Sequence, residues 1–170
     1  MDWASEIEKM IAAKRILREV DVDNLWRYEA PSPPATEEAI QLAERNIGCS
    51  LDSEYASFLR QANGWPAFLQ NIDLFGTDEL SGPRLREARE LIELPEVAAA
   101  TGIADSRPIP IGASETSIDM FVIFGRSGKK SSPVLWIAGV EIERYDSFLD
   151  FFRGMVSHNL KEARDLSAQS

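Results

Sequence analysis

Between Leu51 and Leu80 the chain reads LDSEYASFLRQANGWPAFLQNIDLFGTDEL, and this stretch constrains the fold more than any other. Tyr55, Phe58, Leu59 and Ala62 recur at helical spacing on one face. Asn63-Gly64 ends that helix, because glycine adopts the left-handed conformation that satisfies the last carbonyls. Trp65-Pro66 forbids its continuation, since a residue before proline is pushed towards extended geometry. Ile72 and Leu74 then flank Asp73 with the alternation of a short strand, Ile72–Phe75. A helix that turns sharply into a strand is the corner on which the rest of the chain packs.

Upstream, residues 2 to 20 carry a stripe of Trp3, Ile7, Met10, Ile11, Lys14 and Leu17, apolar except at Lys14. Lys9, Lys14, Arg15 and Arg18 make that helix locally basic. Asp21-Val22-Asp23-Asn24 breaks it. A calcium loop is excluded there, because Leu25 and Trp26 stand where a ligand and a glycine are needed. Trp26 and Tyr28 pack the connection onto the core. Ala30–Ala35, with three prolines, is a stiff extended linker. Thr36 caps a second helix whose first turn holds Glu37 and Glu38; Ile40, Ala43 and Ile47 face inward and Gly48 ends it. Asp52 caps the third helix.

Downstream, Gly76–Leu80 is a turn, and a fourth helix runs from about Pro83 to Leu94, with Pro83 in its first turn and Pro95 ending it. Val97–Ala104 is small and apolar with no assigned form. Pro108–Gly112 is extended, and its two prolines confine it to an edge or a bulge. Ile118–Phe124 and Val134–Ala138 are strands joined by the polar connection Gly125–Ser132. Glu141–Tyr145 is a further strand with one charged edge. Asp146 or Ser147 caps a last helix with Phe148, Leu149, Phe152, Met155 and Val156 inward; from His158 to Ser170 the tail extends that helix or frays. This is an α+β chain: a single domain with a small, mainly antiparallel sheet flanked by N-terminal helices and a C-terminal helix.

Composition narrows the chemistry. The 28 acidic residues against 18 basic ones give a formal net charge of -10, which repels nucleic acid and anionic membrane and suits a basic partner, or serves solubility alone. One cysteine, Cys49, excludes an internal disulfide; between two helices it reads as a small buried residue. The N-terminus lacks the basic start and apolar core of a signal peptide, and no run reaches membrane-spanning length, so a cytoplasmic protein is expected. At Gly125–Ser131 a P-loop fails, because Ile123 and Lys130 occupy its first glycine and its Ser/Thr place. Gly112–Thr116 lacks the second glycine of a nucleophile elbow. With His158 as the sole histidine, neither a nucleophile–histidine set nor a zinc site is expected. Carboxylate-only catalysis stays open on residue types alone.

With these residues in place, the chain resembles the SUKH superfamily. The resemblance lies in an ordered series: Pro33-Pro34-Ala35-Thr36, Ile40, Ala43-Glu44, Ile47-Gly48, Leu51-Asp52, Tyr55, Phe58-Leu59, Asn63-Gly64-Trp65, Pro110-Ile111-Gly112, the Asp119–Phe124 strand and Ser147-Phe148. It covers roughly residues 33 to 155. Asp52 replaces a proline common in the family, and Asp119-Met120-Phe121 is a looser form of its Gly-Asp-aromatic strand start. The resemblance implies one domain over residues 1–170, with a core at 33–157 and a helical extension at 2–28. It implies no catalytic, metal or cofactor-binding residues, and places Phe58, Gly64 and Trp65 in core and turn.

Superfamily members include bacterial immunity proteins that neutralise a cognate toxin, often a nuclease, and fungal regulators of cell-wall synthesis. The expected function is therefore non-enzymatic binding of a basic protein toxin, with a regulatory or scaffold role as the alternative. Nucleic acid and membrane are not expected partners. By charge and placement near strand ends and loops, the candidate contacts are Asp73, Asp78, Glu79, Asp119, Glu141 and Glu143.

Overall fold

The computed structural model describes residues 1–103, 107–124 and 131–170. The connection expected at Gly125–Ser132, its Lys129-Lys130 pair and the end of the Val97–Ala104 segment lie outside the described residues, wholly or in part. The helices are α1 (Trp3–Val20), α2 (Glu37–Ile47), α3 (Ser53–Leu59), α4 (Thr77–Leu80), α5 (Pro83–Ile92), α6 (Pro95–Thr101) and α7 (Phe148–Ala168). The strands are β1 (Trp65–Leu69), β2 (Ile72–Leu74), β3 (Pro108–Ser114), β4 (Met120–Phe124), β5 (Val134–Ile137) and β6 (Glu141–Tyr145). They form one antiparallel sheet in chain order, with β1 and β6 at its edges. The α+β, single-domain architecture is the one expected. Among the described residues no helix is long and apolar enough to cross a membrane.

At the Leu51–Leu80 corner α3 stops at Leu59 with Arg60 as its C-cap, short of Asn63-Gly64, so Ala62 lies beyond the helix and Gly64 belongs to the turn into β1. Asp52 caps α3 by accepting from the Glu54 and Tyr55 amides, and its other oxygen accepts from the Ser132 amide, 2.9 Å away. An aspartate thus supplies a cap and a tether to the β5 side. Gly64 takes φ 85°. A Cβ there would lie 2.5 Å from the Gly76 nitrogen, so this position requires glycine sterically as well as conformationally. Asn63 joins the two segments: its Oδ1 accepts from the Thr77 amide at 2.7 Å and its Nδ2 donates to the Thr77 hydroxyl at 2.9 Å. Tyr55 is fully buried and donates its hydroxyl to the Phe75 carbonyl at 2.7 Å.

The sheet divides two cores. On one face, Trp3, Tyr55, Phe58, Trp65, Phe68, Phe121, Phe148, Phe151 and Phe152 build an aromatic cluster with ring centroids 4.8 to 6.5 Å apart. Tilted and edge-on pairs of this kind each contribute about 0.5–1.5 kcal/mol beyond area burial. On the other face, Ala88 and Ile92 of α5, with Ile103, cover Met120, Val122, Phe124, Leu135 and Ile137. The N-terminal helix belongs to the first core through Trp3 and Met10, and Glu6 joins it to Arg153 of α7 at 2.9 Å.

Several elements differ from expectation, each for a local reason. Trp65-Pro66 opens β1 rather than a bare connection, because Ala67 at φ 51° and Gln70 at φ 53° bend the strand into an irregular hairpin. Gly76–Leu80 holds the short helix α4, closed by the Glu79 carboxylate on the Gly76 amide at 2.8 Å. Pro95 ends α5 and also starts α6, since proline suits a first helical turn equally well. β3 is interior, yet its prolines obey their constraint. A bulge separates Pro110 from Gly112, and β2 pairs only with Gly112–Ser114, leaving the proline half bordered by β4 alone. On α1, Ile11 is exposed, while Glu6 and Ala13 are buried. The tail continues α7 to Ala168, and Phe151 joins its buried face. Cys49 is exposed rather than buried, because Gly48 in the left-handed conformation directs the chain outward after α2.

Candidate partner-binding surface

The six candidate carboxylates fall into three settings. Asp73 sits in the middle of β2 and is largely enclosed, its side chain 14% exposed. Its carboxylate accepts from the Ala67 amide at 2.7 Å, from Arg27 Nη2 at 2.8 Å and from Arg84 Nη1 at 2.9 Å. Arg84 also donates to the Ala113 carbonyl and lies over the Phe75 ring, 5.0 Å from its centroid. Asp73 therefore ties four segments together, with three of a carboxylate's roughly four acceptor sites engaged.

The same network closes the β1 edge. The Ala67 carbonyl accepts from Lys14 Nζ, which also reaches the Phe68 carbonyl at 3.3 Å. Asn159 of α7 donates to the Phe68 carbonyl at 3.4 Å and to the Met155 carbonyl at 2.9 Å. Lys14 and Asn159 are buried, at 7% and 0% exposure. Burial pushes the Lys14 ammonium down to about 8. The apparent polar flaw in the α1 stripe is thus the group that binds an otherwise bare strand edge.

Asp78 and Glu79 lie on α4. Glu79 caps its helix, whereas Asp78 is exposed and its carboxylate makes no hydrogen bond or ion pair among the described residues.

Asp119, Glu141 and Glu143 gather at the far side of the sheet. Trp136 and Glu143 are cross-strand partners on β5 and β6. The Trp136 indole N–H donates to Asp119 Oδ1 at 2.8 Å, and the Ser117 hydroxyl donates to Asp119 Oδ2 at 2.6 Å. The His158 ring stands edge-on to Trp136 at 5.3 Å, with Nε2 2.6 Å from Glu143 Oε2. Two carboxylates distant in sequence are thereby fixed on either side of one indole. Glu141 pairs with Arg144 at 2.7 Å and stays exposed. Ile118, Val140 and Ile142 stand beside them in solvent, at 61%, 51% and 49% exposure.

Trp136 and His158 are the members of this group that sequence reasoning assigned no binding role. The signal for Trp136 was a tryptophan one residue from the end of a strand, where its indole N–H requires a partner. Among the described residues the hydrogen-bond partner of His158 Nε2 is Glu143. The arrangement presents carboxylates, an aromatic edge and exposed aliphatic groups. A depression that holds two acidic residues, Glu90 and Glu93, also contains Arg86 and Arg89, and both glutamates are exposed.

No curated protein sequence matches the chain. Residues 34–154, from the proline linker through the first turns of α7, match the model of the SMI1 / KNR4 family (SUKH-1), and the chain belongs to that family.

Proposed function

We propose that the protein is an immunity protein that neutralises a cognate toxin, of nuclease type, by direct contact in the cytoplasm, without catalysis or cofactor. SUKH domains include toxin-immunity proteins and SMI1/KNR4 regulators, and they are generally non-enzymatic. The observation that carries the reading is the acidic group Asp119, Glu141 and Glu143, set among exposed Ile118, Val140 and Ile142. Charged rims around apolar centres suit protein partners, and fixed negative charge steers a basic one. Asp78, exposed on α4 where that helix packs on α2 and α5, is a separate acidic position. Asp73 and Glu79 contribute charge from their structural positions. Together these six residues are the proposed contact set.

Co-expression with the product of the neighbouring gene tests the proposal. A stable complex and protection of the host from that product are expected. Absence of both would refute the proposal. Recovery of housekeeping proteins in a pull-down from the native host would instead favour a regulatory domain with an endogenous partner.

A further inference from the structure

The two edges of the sheet are finished differently. At β1, Lys14 and Asn159 donate to the Ala67 and Phe68 carbonyls, and the Trp65 indole N–H donates to the Glu29 carbonyl at 2.9 Å. At β6, no group outside β5 is bonded to the strand backbone among the described residues. Glu141 and Ile142 are exposed and Glu143 is half-buried, while Tyr145 is buried at the opposite end. An unpaired strand edge is a template for another strand.

We infer that β6 is a docking edge, and that its occupant is an extended segment of the toxin, rich in Lys or Arg, added as a seventh strand. This rests on the immunity reading above and specifies its mode of contact. The backbone of Glu141–Tyr145 supplies main-chain hydrogen bonds over five residues, about 17 Å of strand. Side chains alternate across the sheet, so the incoming strand meets two surfaces. On the α7 side it meets Glu143, held by His158 and backed by Trp136. Basic residues fit there. The rest of the edge offers Ile142, the extra residue of the irregularity opposite Trp136–Ile137, with Val140 at the adjoining turn and exposed Arg144 beside it; aliphatic residues fit against Ile142.

Charge separates a foreign strand from a second copy in the register centred on Glu143, whereas one position along Arg144 would face Glu141 of the copy. Two β6 strands paired antiparallel about Glu143 would place that carboxylate opposite its own copy, and like charges directly opposite destabilise a sheet. A basic strand converts the same position into an attraction. The bulge between Trp136 and Ile137 lets β5 and β6 diverge from flat pairing, which further disfavours indiscriminate stacking.

Amide hydrogen exchange on the full chain, free and bound to the neighbouring gene's product, tests this. Free, the solvent-facing amides of residues 141–145 exchange quickly, at a rate independent of protein concentration. Bound, they slow by roughly 10-fold or more, while β1 is unchanged. In parallel, Glu143→Lys weakens the complex by about 10-fold. A complex that forms and protects the host but leaves β6 exchange and the Glu143→Lys affinity unchanged overturns the docking mode alone. Absence of any complex overturns the immunity reading and the docking mode with it. Protection of β6 that grows with concentration in the free protein assigns the edge to a second copy and also overturns the inference.

Discussion

The β1 and β6 edges belong to one sheet and present the same backbone chemistry, yet one is sealed from within and the other is left acidic and open. At β1 the seal needs buried polar groups: Lys14, Asn159 and the Asp73 network that holds Ala67 in its left-handed conformation. Such groups are costly to bury, and Lys14 Nζ, Asn159 Nδ2 and the Asp73 carboxylate each find a backbone partner, whereas Asn159 Oδ1 has none among the described residues. At β6 the polar groups are at the surface and pair locally, as Glu141 does with Arg144 and Glu143 with His158. Charge at the first edge maintains the fold, whereas charge at the second is available to something outside it.

The comparison breaks hardest at the corner beside β1. Gly64→Ala places a Cβ against the Gly76 nitrogen and the Leu74 carbonyl, in a backbone conformation alanine resists. A loss of about 3 kcal/mol or more in unfolding free energy is expected from denaturant titration. Asp73→Ala comes next. It releases Arg27 and Arg84 and strands the Ala67 amide, with an expected loss of about 2–3 kcal/mol. A change under about 0.5 kcal/mol would mean that Asp73 does not hold these segments together.

Lys14 gives the comparison a pH dependence. The folded chain sheds this proton near 8, whereas the unfolded chain holds it to the ordinary lysine value of 10.5. Between those values the unfolded state binds more protons, so the Lys14 contribution to stability rises with pH. Below 8 the buried charge carries its full penalty. Tyr28 and Tyr55, both shifted upward by burial, act in the opposite sense only where unfolded tyrosine ionises, near pH 10. Unfolding free energies from pH 8 to about 9.5 are therefore expected to show an upward slope in the parent that Lys14→Met removes. An identical slope in both would contradict the burial argument. The smallest effects belong to β6: Glu141→Lys or Ile142→Ser shifts stability by less than about 0.5 kcal/mol.

Much of this was legible in the chain. Thr36, Asp52 and Ser147 announce their helices because a capping side chain acts within three residues. Asn63-Gly64 marks its corner for the same local reason. What escaped depends on distant partners or on ambiguous signals. Asn63-Gly64 and Trp65-Pro66 overshoot the end of α3, which stops at Leu59, and a helix breaker does not reveal that a strand begins at Trp65. Pro95 reads equally as an end and a start. Asp73 and Glu143 are indistinguishable as acidic strand residues; only Arg27, 46 positions away, and His158, 15 positions away, separate the enclosed one from the half-buried one. The edges themselves were invisible, because strand order follows from tertiary packing.

The most direct test of the account is the affinity of the doubly reversed variant E141K/E143K for the neighbouring gene's product, measured beside D78K and with melting temperatures recorded for both. The account predicts a loss of at least about 10-fold for the β6 pair, a smaller loss for D78K, and melting temperatures close to the parent in each case. Unchanged affinity for E141K/E143K, with the fold intact, would contradict it.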